Sequence, residues 1–269
     1  MFAFWALCYT VGMILVTNDD GIFAPGMRVL AKALQAVDKV AIVAPDRERS
    51  AIGTAMTLRH PLRIRQAPDI MDGIEAYAVD GTPGDSVIIA ISTLFAGQVN
   101  IVVSGINEGS NLGDDVLISG TVGAALQGYL HNIPSMAIST VGTDEASLQT
   151  ASRLGTLIAQ RIKLGELPSD ILLNVNLPER LLSNISGVAI TSPAHKSHVD
   201  GAEKGSDGRQ PYYWLTRRNS AACAQEDTDI VAVSRGMASV TPLHTALFGR
   251  PAPNMDQVFC QNLFAELKS

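Results

Sequence analysis

Residues 13–21, Met-Ile-Leu-Val-Thr-Asn-Asp-Asp-Gly, decide the fold. The apolar run 14–16 predicts a buried parallel strand, because strands covered on both faces are hydrophobic without alternation. Asn18 and the residues after it end that strand, and a helical pattern of apolar residues begins after Pro25. A strand, a tight loop and a helix in this order predict an open α/β sheet. In such sheets ligands bind at the loops that follow the carboxyl ends of the strands.

The loop after this strand carries two adjacent carboxylates, Asp19 and Asp20. Like charges so close together repel each other, and a hard cation bound to oxygen ligands would remove the repulsion. A second interpretation is an ordinary turn, in which one aspartate caps the helix and the other is solvated. The stretch alone leaves both interpretations open.

Alternating strands and helices continue along the chain and predict a parallel sheet covered on both faces. We expect strands at 40–43, 75–79, 99–103, 135–140 and 171–175, and helices at 82–95, 120–133 and 145–162. An irregular strand is expected at 56–64. After residue 187 we expect an extended hairpin around the aromatic segment 212–215, β-like segments at 228–233 and 238–241, and a closing helix at 255–267.

Composition excludes several classes of protein. The net charge of −6 argues against a nucleic-acid-binding surface, which needs clustered basic residues. The three cysteines are scattered, which argues against disulfides and a zinc site and predicts a reducing, cytoplasmic location.

Residues 1–12 are apolar and uncharged. With the following strand they are shorter than the ~20 residues that span a bilayer, and no basic segment precedes them, so we expect an N-terminal extension with no membrane role.

Two more loops follow predicted strands. Residues 44–50, Ala-Pro-Asp-Arg-Glu-Arg-Ser, would by themselves indicate a solvated surface loop. The segments 104–113 and 119–125 are rich in glycine, which lets the backbone approach a ligand closely. A helix that begins at Ser119 would present free N–H groups to an anion such as phosphate. The glycines match neither the ATPase phosphate loop nor the dinucleotide-binding motif.

These residues together resemble the SurE (survival protein E) family. The segments that carry the resemblance are 14–21, 44–50, Gly-Thr-Pro-Gly-Asp at 81–85, Ser-Gly-Ile-Asn-Glu-Gly at 104–109, Ser-Gly-Thr-Val-Gly-Ala-Ala at 119–125 and Ala-Ser-Val-Thr-Pro-Leu at 238–243. They occur in the family's order, from residue 13 nearly to the C-terminus. Gln127 and Met237 depart from the pattern, where we expect Glu and an aromatic residue.

The resemblance implies a Rossmann-like three-layer α/β/α fold with a mostly parallel sheet and a β-rich C-terminal extension. Residues 1–12 depart from the family pattern as an atypical N-terminal extension. The resemblance implies a catalytic core at 13–190, and a hairpin with a C-terminal helix at 191–269 that assembles a homodimer or homotetramer. The implied activity is metal-dependent hydrolysis of nucleoside 5′-monophosphates, with 3′-nucleotides and short polyphosphate as further substrates.

The resemblance also implies the site. One divalent cation per subunit, Mg²⁺ or Mn²⁺, would be held by four oxygen donors: Asp19, Asp20, Ser50 and Asn107. The rest of the site is our own hypothesis from the residues. Asp19 or Asp20 would be the catalytic base or nucleophile, and the sequence does not separate these two roles. The phosphate would be bound by Asn107, Asn111, Ser119, Gly120 and Thr121.

Two other functions compete with this hypothesis. A nucleotide-dependent transferase would use the Gly-rich loop for a triphosphate, but no lysine lies between residues 104 and 130 to contact it. A non-catalytic, metal-dependent nucleotide sensor would bind the monophosphate without releasing phosphate. Neither nucleic acid nor a membrane is expected as a partner.

Overall fold

A computed structural model describes residues 12–180, 182–195, 201–216 and 225–244. Nine of its strands form one sheet in the order β3-β4-β2-β1-β5-β6-β7-β11-β8. The strands are β1 Met13–Thr17, β2 Lys39–Pro45, β3 Ile64–Gln66, β4 Glu75–Val79, β5 Val99–Glu108, β6 Ser135–Thr140, β7 Leu172–Leu177, β8 Val188–Ile190, β9 Gly201–Ser206, β10 Pro211–Thr216 and β11 Ala238–Pro242. Neighbouring strands from β4 to β7 are parallel, whereas β3 and β11 run antiparallel to β4 and β7.

Helices cover both faces of the sheet. They are α1 Pro25–Leu34, α2 Pro83–Ile89, which continues as a π-helix at Ala90–Leu94, α3 Gly120–Leu130, α4 Glu145–Lys163 and the short α5 Asp229–Ser234. Helices α1 and α4 pack together on one face, and α2 and α3 pack together on the other. The predicted α/β/α arrangement with a mostly parallel sheet is therefore confirmed.

The central strand β1 is buried at all five of its positions. Ile14 and Val16 face the α1/α4 layer, while Met13 and Leu15 face the α2/α3 layer. Burying apolar side chains on both faces is worth about 1.5–3 kcal/mol for each large residue. This double burial explains why the strand has an unbroken apolar sequence.

The direction of the chain changes at β1, because β2 lies on one side of it and β5 on the other. The loops that follow β1 and β5 therefore diverge and leave a crevice at the carboxyl edge of the sheet. Ligand sites of open α/β sheets lie at such switch points. The topology thus places the loops of residues 18–24 and 109–119 around one crevice.

Two of the predicted elements are wrong. Residues 56–63 form no strand. Thr57 N–H donates instead to the Asp85 carboxylate at the start of α2, and the carbonyl of the preceding Ala55 accepts the Thr82 hydroxyl. Residues 229–234 form α5, although they are rich in β-branched side chains. There the Asp229 carboxylate accepts the N–H of Ile230 in the first turn, and Gly236 continues the chain with a φ of 80°.

The predicted hairpin is confirmed, since β9 and β10 pair antiparallel. Its Tyr213, Trp214 and Leu215 are exposed. The expected helix at 255–267 and the apolar residues 1–11 lie outside the described residues, and the division into three regions remains a prediction. Within the part of the chain that the structure describes, no helix is both long enough and apolar enough to cross a membrane.

Candidate active site at the carboxyl edge of the sheet

A cavity of about 150 Å³ lies at the switch point. It is lined by Asp19, Ser50, Ala51, Asn107, Glu108, Gly109, Ser110, Asn111, Asp115, Ile118 and Ser119. These residues come from the ends of β1, β2 and β5 and from the loop that leads to α3. The cavity therefore brings together five of the predicted site residues, which are far apart in the sequence.

The loop after β1 is held in a tight turn by Asn18. The Asn18 side chain donates to the Gly21 carbonyl at 3.1 Å and accepts the Gly21 N–H at 3.2 Å. Gly21 has a φ of 98°, a conformation that disfavours other residues. This turn fixes the two aspartates between its ends.

Asp19 is buried against the N-terminus of α3. The Thr121 hydroxyl donates to its Oδ1, and a Cβ atom at Gly120 would lie 2.9 Å from its Oδ2, so glycine is required there. Burial raises the pKa of Asp19, while hydrogen bonds from the Thr121 side chain and backbone counteract the rise. Gly120 and Thr121 thus lie against the aspartate that lines the cavity, and their role toward phosphate stays a prediction.

Asp20 is half-buried, and its Oδ2 has no hydrogen-bond partner among the described residues. Burial, followed by the charges of Asp19 and Glu108, raises the pKa of Asp20 to about 7. The backbone of Glu108 donates a hydrogen bond to the carboxylate and partly offsets the rise. Asp20 does not line the cavity itself, but this bond ties it to a residue that does.

Ser50 and Asn107 each donate a side-chain hydrogen to a neighbouring residue. The Ser50 hydroxyl donates to Glu48 Oε1 at 2.7 Å, which leaves the oxygen lone pairs available. The Asn107 Nδ2 donates to the Gly109 carbonyl at 2.7 Å, which leaves Oδ1 as the atom free to bind a cation. Both side chains therefore present oxygen atoms as ligands.

Asn111 is held by a buried polar network from two neighbouring strands. Its N–H donates to Asn176 Oδ1 at 2.8 Å, and its Nδ2 donates to the Ser139 hydroxyl at 2.8 Å. Asn174 and Asn176 both donate to its carbonyl oxygen. Each Nδ2 carries two hydrogens, so one hydrogen of Asn111 remains for a ligand in the cavity.

Ser119 is the N-cap of α3, and its hydroxyl accepts the N–H of Val122 at 3.2 Å. The cap satisfies one N–H of the first turn, while the positive end of the helix dipole points toward the cavity wall. A serine N-cap is also found at ordinary helix starts, so the role of this helix N-terminus toward an anion stays a prediction.

The donors suit a hard cation such as Mg²⁺ or Mn²⁺. Among the described residues, no three His, Cys, Asp or Glu side chains gather in a way that could hold a metal ion. Two aspartates with a hydroxyl and an amide oxygen form a different set, of the all-oxygen kind that Mg²⁺ binds. The unpartnered buried Oδ2 of Asp20 fits such an ion, because a cation would satisfy an oxygen that no hydrogen bond reaches.

The sequence interpretation missed several residues of this region. Glu48 and Glu108 raise the negative potential around the aspartates. Asn174 and Asn176 form the network around Asn111, and their spacing of two residues in an apolar strand was a usable signal. Asp229, which lies far along the chain, binds the Gly113 N–H, and no local pattern indicates such a contact.

A larger groove of about 690 Å³ lies on the outer face of α4. It includes Arg153, Leu157 and Leu182 but no carboxylate, and it shares no lining residue with the cavity at the switch point. Its size alone does not make it a candidate for the chemistry described above.

Comparisons with known proteins show to which proteins the chain is similar. The family model for Survival protein SurE matches residues 14–200. A protein of Dehalococcoides mccartyi (strain CBDB1) named 5′-nucleotidase SurE is 47% identical over 258 residues, which cover 95% of this chain and 97% of that protein. Another of the same name, from Geobacter sulfurreducens, is 46% identical over 236 residues, 87% of this chain and 88% of that one.

A solved structure points the same way. The crystal structure of the SurE protein from Aquifex aeolicus matches with a TM-score of 0.74 and 32% identity, over 96% of this chain and all of that one (100%). Together with the match of the family model over 14–200, these similarities show that the chain belongs to the SurE family.

Proposed function

We propose that this chain is a metal-dependent phosphomonoesterase that hydrolyses nucleoside 5′-monophosphates to nucleoside and phosphate. Relatives at 46–47% identity over most of the chain are named 5′-nucleotidase SurE. The observation that carries the proposal is the cavity that joins Asp19, Ser50 and Asn107 from three separate segments of the chain. An oxygen-lined cavity at a sheet switch point, beside a helix N-terminus, suits a phosphate group and a hard cation.

The proposed cofactor is one Mg²⁺ or Mn²⁺ ion per subunit, with Asp19, Asp20, Ser50 and Asn107 as the ligands. When bound, such an ion polarises a phosphoryl oxygen and lowers the pKa of a coordinated water molecule. The chain prepares this site before an ion arrives. Hydrogen bonds to Glu48 and Gly109 hold the side chains of Ser50 and Asn107, and the turn closed by Asn18 holds the aspartates.

In the proposed reaction the chain itself binds and orients the phosphate. Asn111, Ser119 and the Gly120 amide at the start of α3 donate to phosphate oxygens, while the Thr121 side chain and backbone donate to Asp19 and hold it beside the phosphate. These donors stabilise the charge that builds up in the transition state, and they are already fixed by the rest of the fold. Asp20 Oδ2, the carboxylate oxygen without a hydrogen-bond partner, would bind the cation. A carboxylate oxygen of Asp19 or Asp20 that does not bind the cation would accept a proton from the attacking water.

The finer parts of the proposal concern substrates and assembly. We expect 3′-nucleotides and short-chain polyphosphate to react as well, because the cavity is built for a terminal phosphate group. We expect a cytoplasmic homodimer or homotetramer with no nucleic-acid or membrane partner.

Phosphate release from AMP tests the proposal. We expect the purified chain to release phosphate with Mn²⁺ or Mg²⁺ present and to lose that activity when EDTA removes the ion. AMP binding that depends on Mn²⁺ but releases no phosphate would instead identify a nucleotide sensor. Undiminished hydrolysis in EDTA would exclude the cation from the reaction.

A further inference from the structure

The cavity is too small to enclose a nucleotide. Its volume is about 150 Å³, whereas sites that enclose a whole ligand usually measure roughly 300–1,000 Å³. The phosphate and its cation fill such a space. If the proposed function holds, the nucleoside therefore lies across the rim of the cavity and contacts the residues there.

Ile118 is the one large apolar side chain among the described residues that line the cavity. It is 39% exposed, and the neighbouring Leu117 is 55% exposed. The other lining residues are polar or as small as Ala51. An apolar patch at the mouth of a polar cavity is available for an apolar surface of the ligand.

The position of Ile118 is fixed by its backbone. Its N–H donates to the Asp115 carbonyl at 3.1 Å, and its own carbonyl accepts the Gly53 N–H at 2.9 Å. The next residue, Ser119, caps the helix whose first turn is the proposed phosphate site. Ile118 therefore lies one residue from the phosphate donors, on a rigid segment that joins two loops of the site.

We infer that Ile118 is the platform on which the nucleobase of the substrate packs, an inference that rests on the proposed function. The faces of all bases are apolar, whereas their hydrogen-bonding edges differ. An isoleucine side chain packs against the face of a base and forms no hydrogen bonds with its edge. The contact therefore favours nucleotides over other phosphate monoesters without selecting one base, and AMP and IMP, which differ at the purine edge, should react alike.

The test compares AMP with ribose 5-phosphate, which carries the same phosphate and sugar without a base. Steady-state kinetics with Mn²⁺ are measured for the unmodified chain, Ile118→Ala, and Ile118→Gln, which keeps a long side chain but is polar. The matched control is Leu164→Ala, because Leu164 is an exposed apolar residue (70%) at the far end of α4. Melting temperatures show whether each variant is folded.

We expect both Ile118 variants to raise the KM for AMP about fivefold or more, because they remove the apolar contact area. The kcat for AMP and both constants for ribose 5-phosphate should change less than twofold, and Leu164→Ala should change none of them. An equal rise in KM for both substrates, or no rise for either, would overturn the inference.

The failure of the proposed function can be distinguished from the failure of this inference. If no phosphate is released, both ligands stay intact, and calorimetric titration gives their dissociation constants. AMP that binds more tightly than ribose 5-phosphate, with the difference lost in Ile118→Ala, would support the platform without hydrolysis. Equal binding of the two ligands by the unmodified chain would overturn it.

Discussion

Ionisation of the Asp20 carboxyl group costs free energy in the protein without a bound metal ion. Burial and the charges of Asp19 and Glu108 raise its pKa to about 7, and its Oδ2 has no hydrogen-bond partner among the described residues. A raised carboxylate pKa means that the fold holds the proton more tightly than the unfolded chain does. The protonated Asp20 carboxyl therefore stabilises the fold at low pH, and this contribution is lost as the pH rises from about 4 toward 7. A bound cation would remove this cost, which is the physical reason to place one there.

Substitution of Asp20 separates its role in activity from its effect on stability. We expect Asp20→Asn to lower kcat/KM for AMP at least ~100-fold, because a carboxylate ligand of the cation is lost. At pH 8 in EDTA the same variant should melt at a higher temperature than the unmodified chain, since the repulsion with Asp19 is gone. Phosphate release and thermal melting measure the two effects.

The matched control for this substitution is Asp69→Asn, on an exposed turn away from the cavity. It should change neither quantity. Near-normal turnover by Asp20→Asn with Mn²⁺ present would contradict the assigned role.

We expect the protein to bind a metal ion more weakly at low pH, where Asp20 is protonated. A proton must leave the carboxylate before it can bind a cation. With a pKa of about 7, the apparent affinity for Mn²⁺ should be about tenfold weaker at pH 6 than at pH 8. Calorimetric titration with MnCl₂ at the two pH values checks this, and an affinity that is equal at both would contradict it.

At the level of elements, the loop between β5 and α3 is anchored by a residue from a distant helix. Asp229, at the start of α5, is fully buried and accepts three N–H groups, from Gly113, Ala194 and Ile230, at 2.8–3.0 Å. Gly113 begins the 3₁₀ turn that leads to Ile118 and Ser119. The C-terminal part of the chain thereby fixes the wall of the cavity.

Removal of this anchor should weaken the fold. Asp229→Ala leaves buried N–H groups without acceptors, so we expect the free energy of unfolding to fall by about 3 kcal/mol. Urea denaturation measures the loss. Asp207→Ala is the matched control, because Asp207 accepts two N–H groups at the exposed hairpin turn, where water replaces it. Equal stability of the two variants would show that Asp229 anchors nothing.

A strand or helix can be predicted from the sequence when the residues that determine it are local, and not when distant contacts determine it. Strand β1 was predicted because burial on both faces demands an apolar run. Residues 228–233 were expected to be β-like, but residues 229–234 form a helix, which the contacts of Asp229 with distant backbone groups favour. Tertiary contacts override local propensity in such short segments.

The site was predictable to the extent that its residues follow strands. Asp19, Asp20 and Asn107 lie in or just after strands at the carboxyl edge, so topology places them together. Ser50 lies in a segment that by itself indicates a solvated loop, and only the family resemblance singled it out. The anchoring of Asn111 by Asn176 joins residues 65 apart in the sequence, which no local pattern could indicate.

At the scale of the whole molecule, the exposed hairpin is the proposed surface of assembly. Trp214 is 71% exposed and Leu215 is 76% exposed, on a strand that pairs only with β9 in the described part of the chain. Exposed aromatic side chains on an extended hairpin favour burial between subunits.

A charge on this hairpin should therefore disrupt assembly. We expect the unmodified chain to sediment as a dimer or tetramer. In Trp214→Glu the dissociation constant of the oligomer should rise at least tenfold, which shifts the chain toward smaller species. Leu164→Glu places the same charge at an equally exposed site on α4 and should leave the mass unchanged. Identical sedimentation of Trp214→Glu and the unmodified chain would contradict a role for the hairpin.

The convergence of four oxygen donors on one cation is tested most directly by a crystal structure of the protein with Mn²⁺, in which anomalous scattering locates the ion. We expect one ion per subunit in the crevice between β1 and β5, with oxygens of Asp19, Asp20, Ser50 and Asn107 all about 2.0–2.4 Å away. An ion bound elsewhere, or one that Ser50 or Asn107 does not reach, would contradict it.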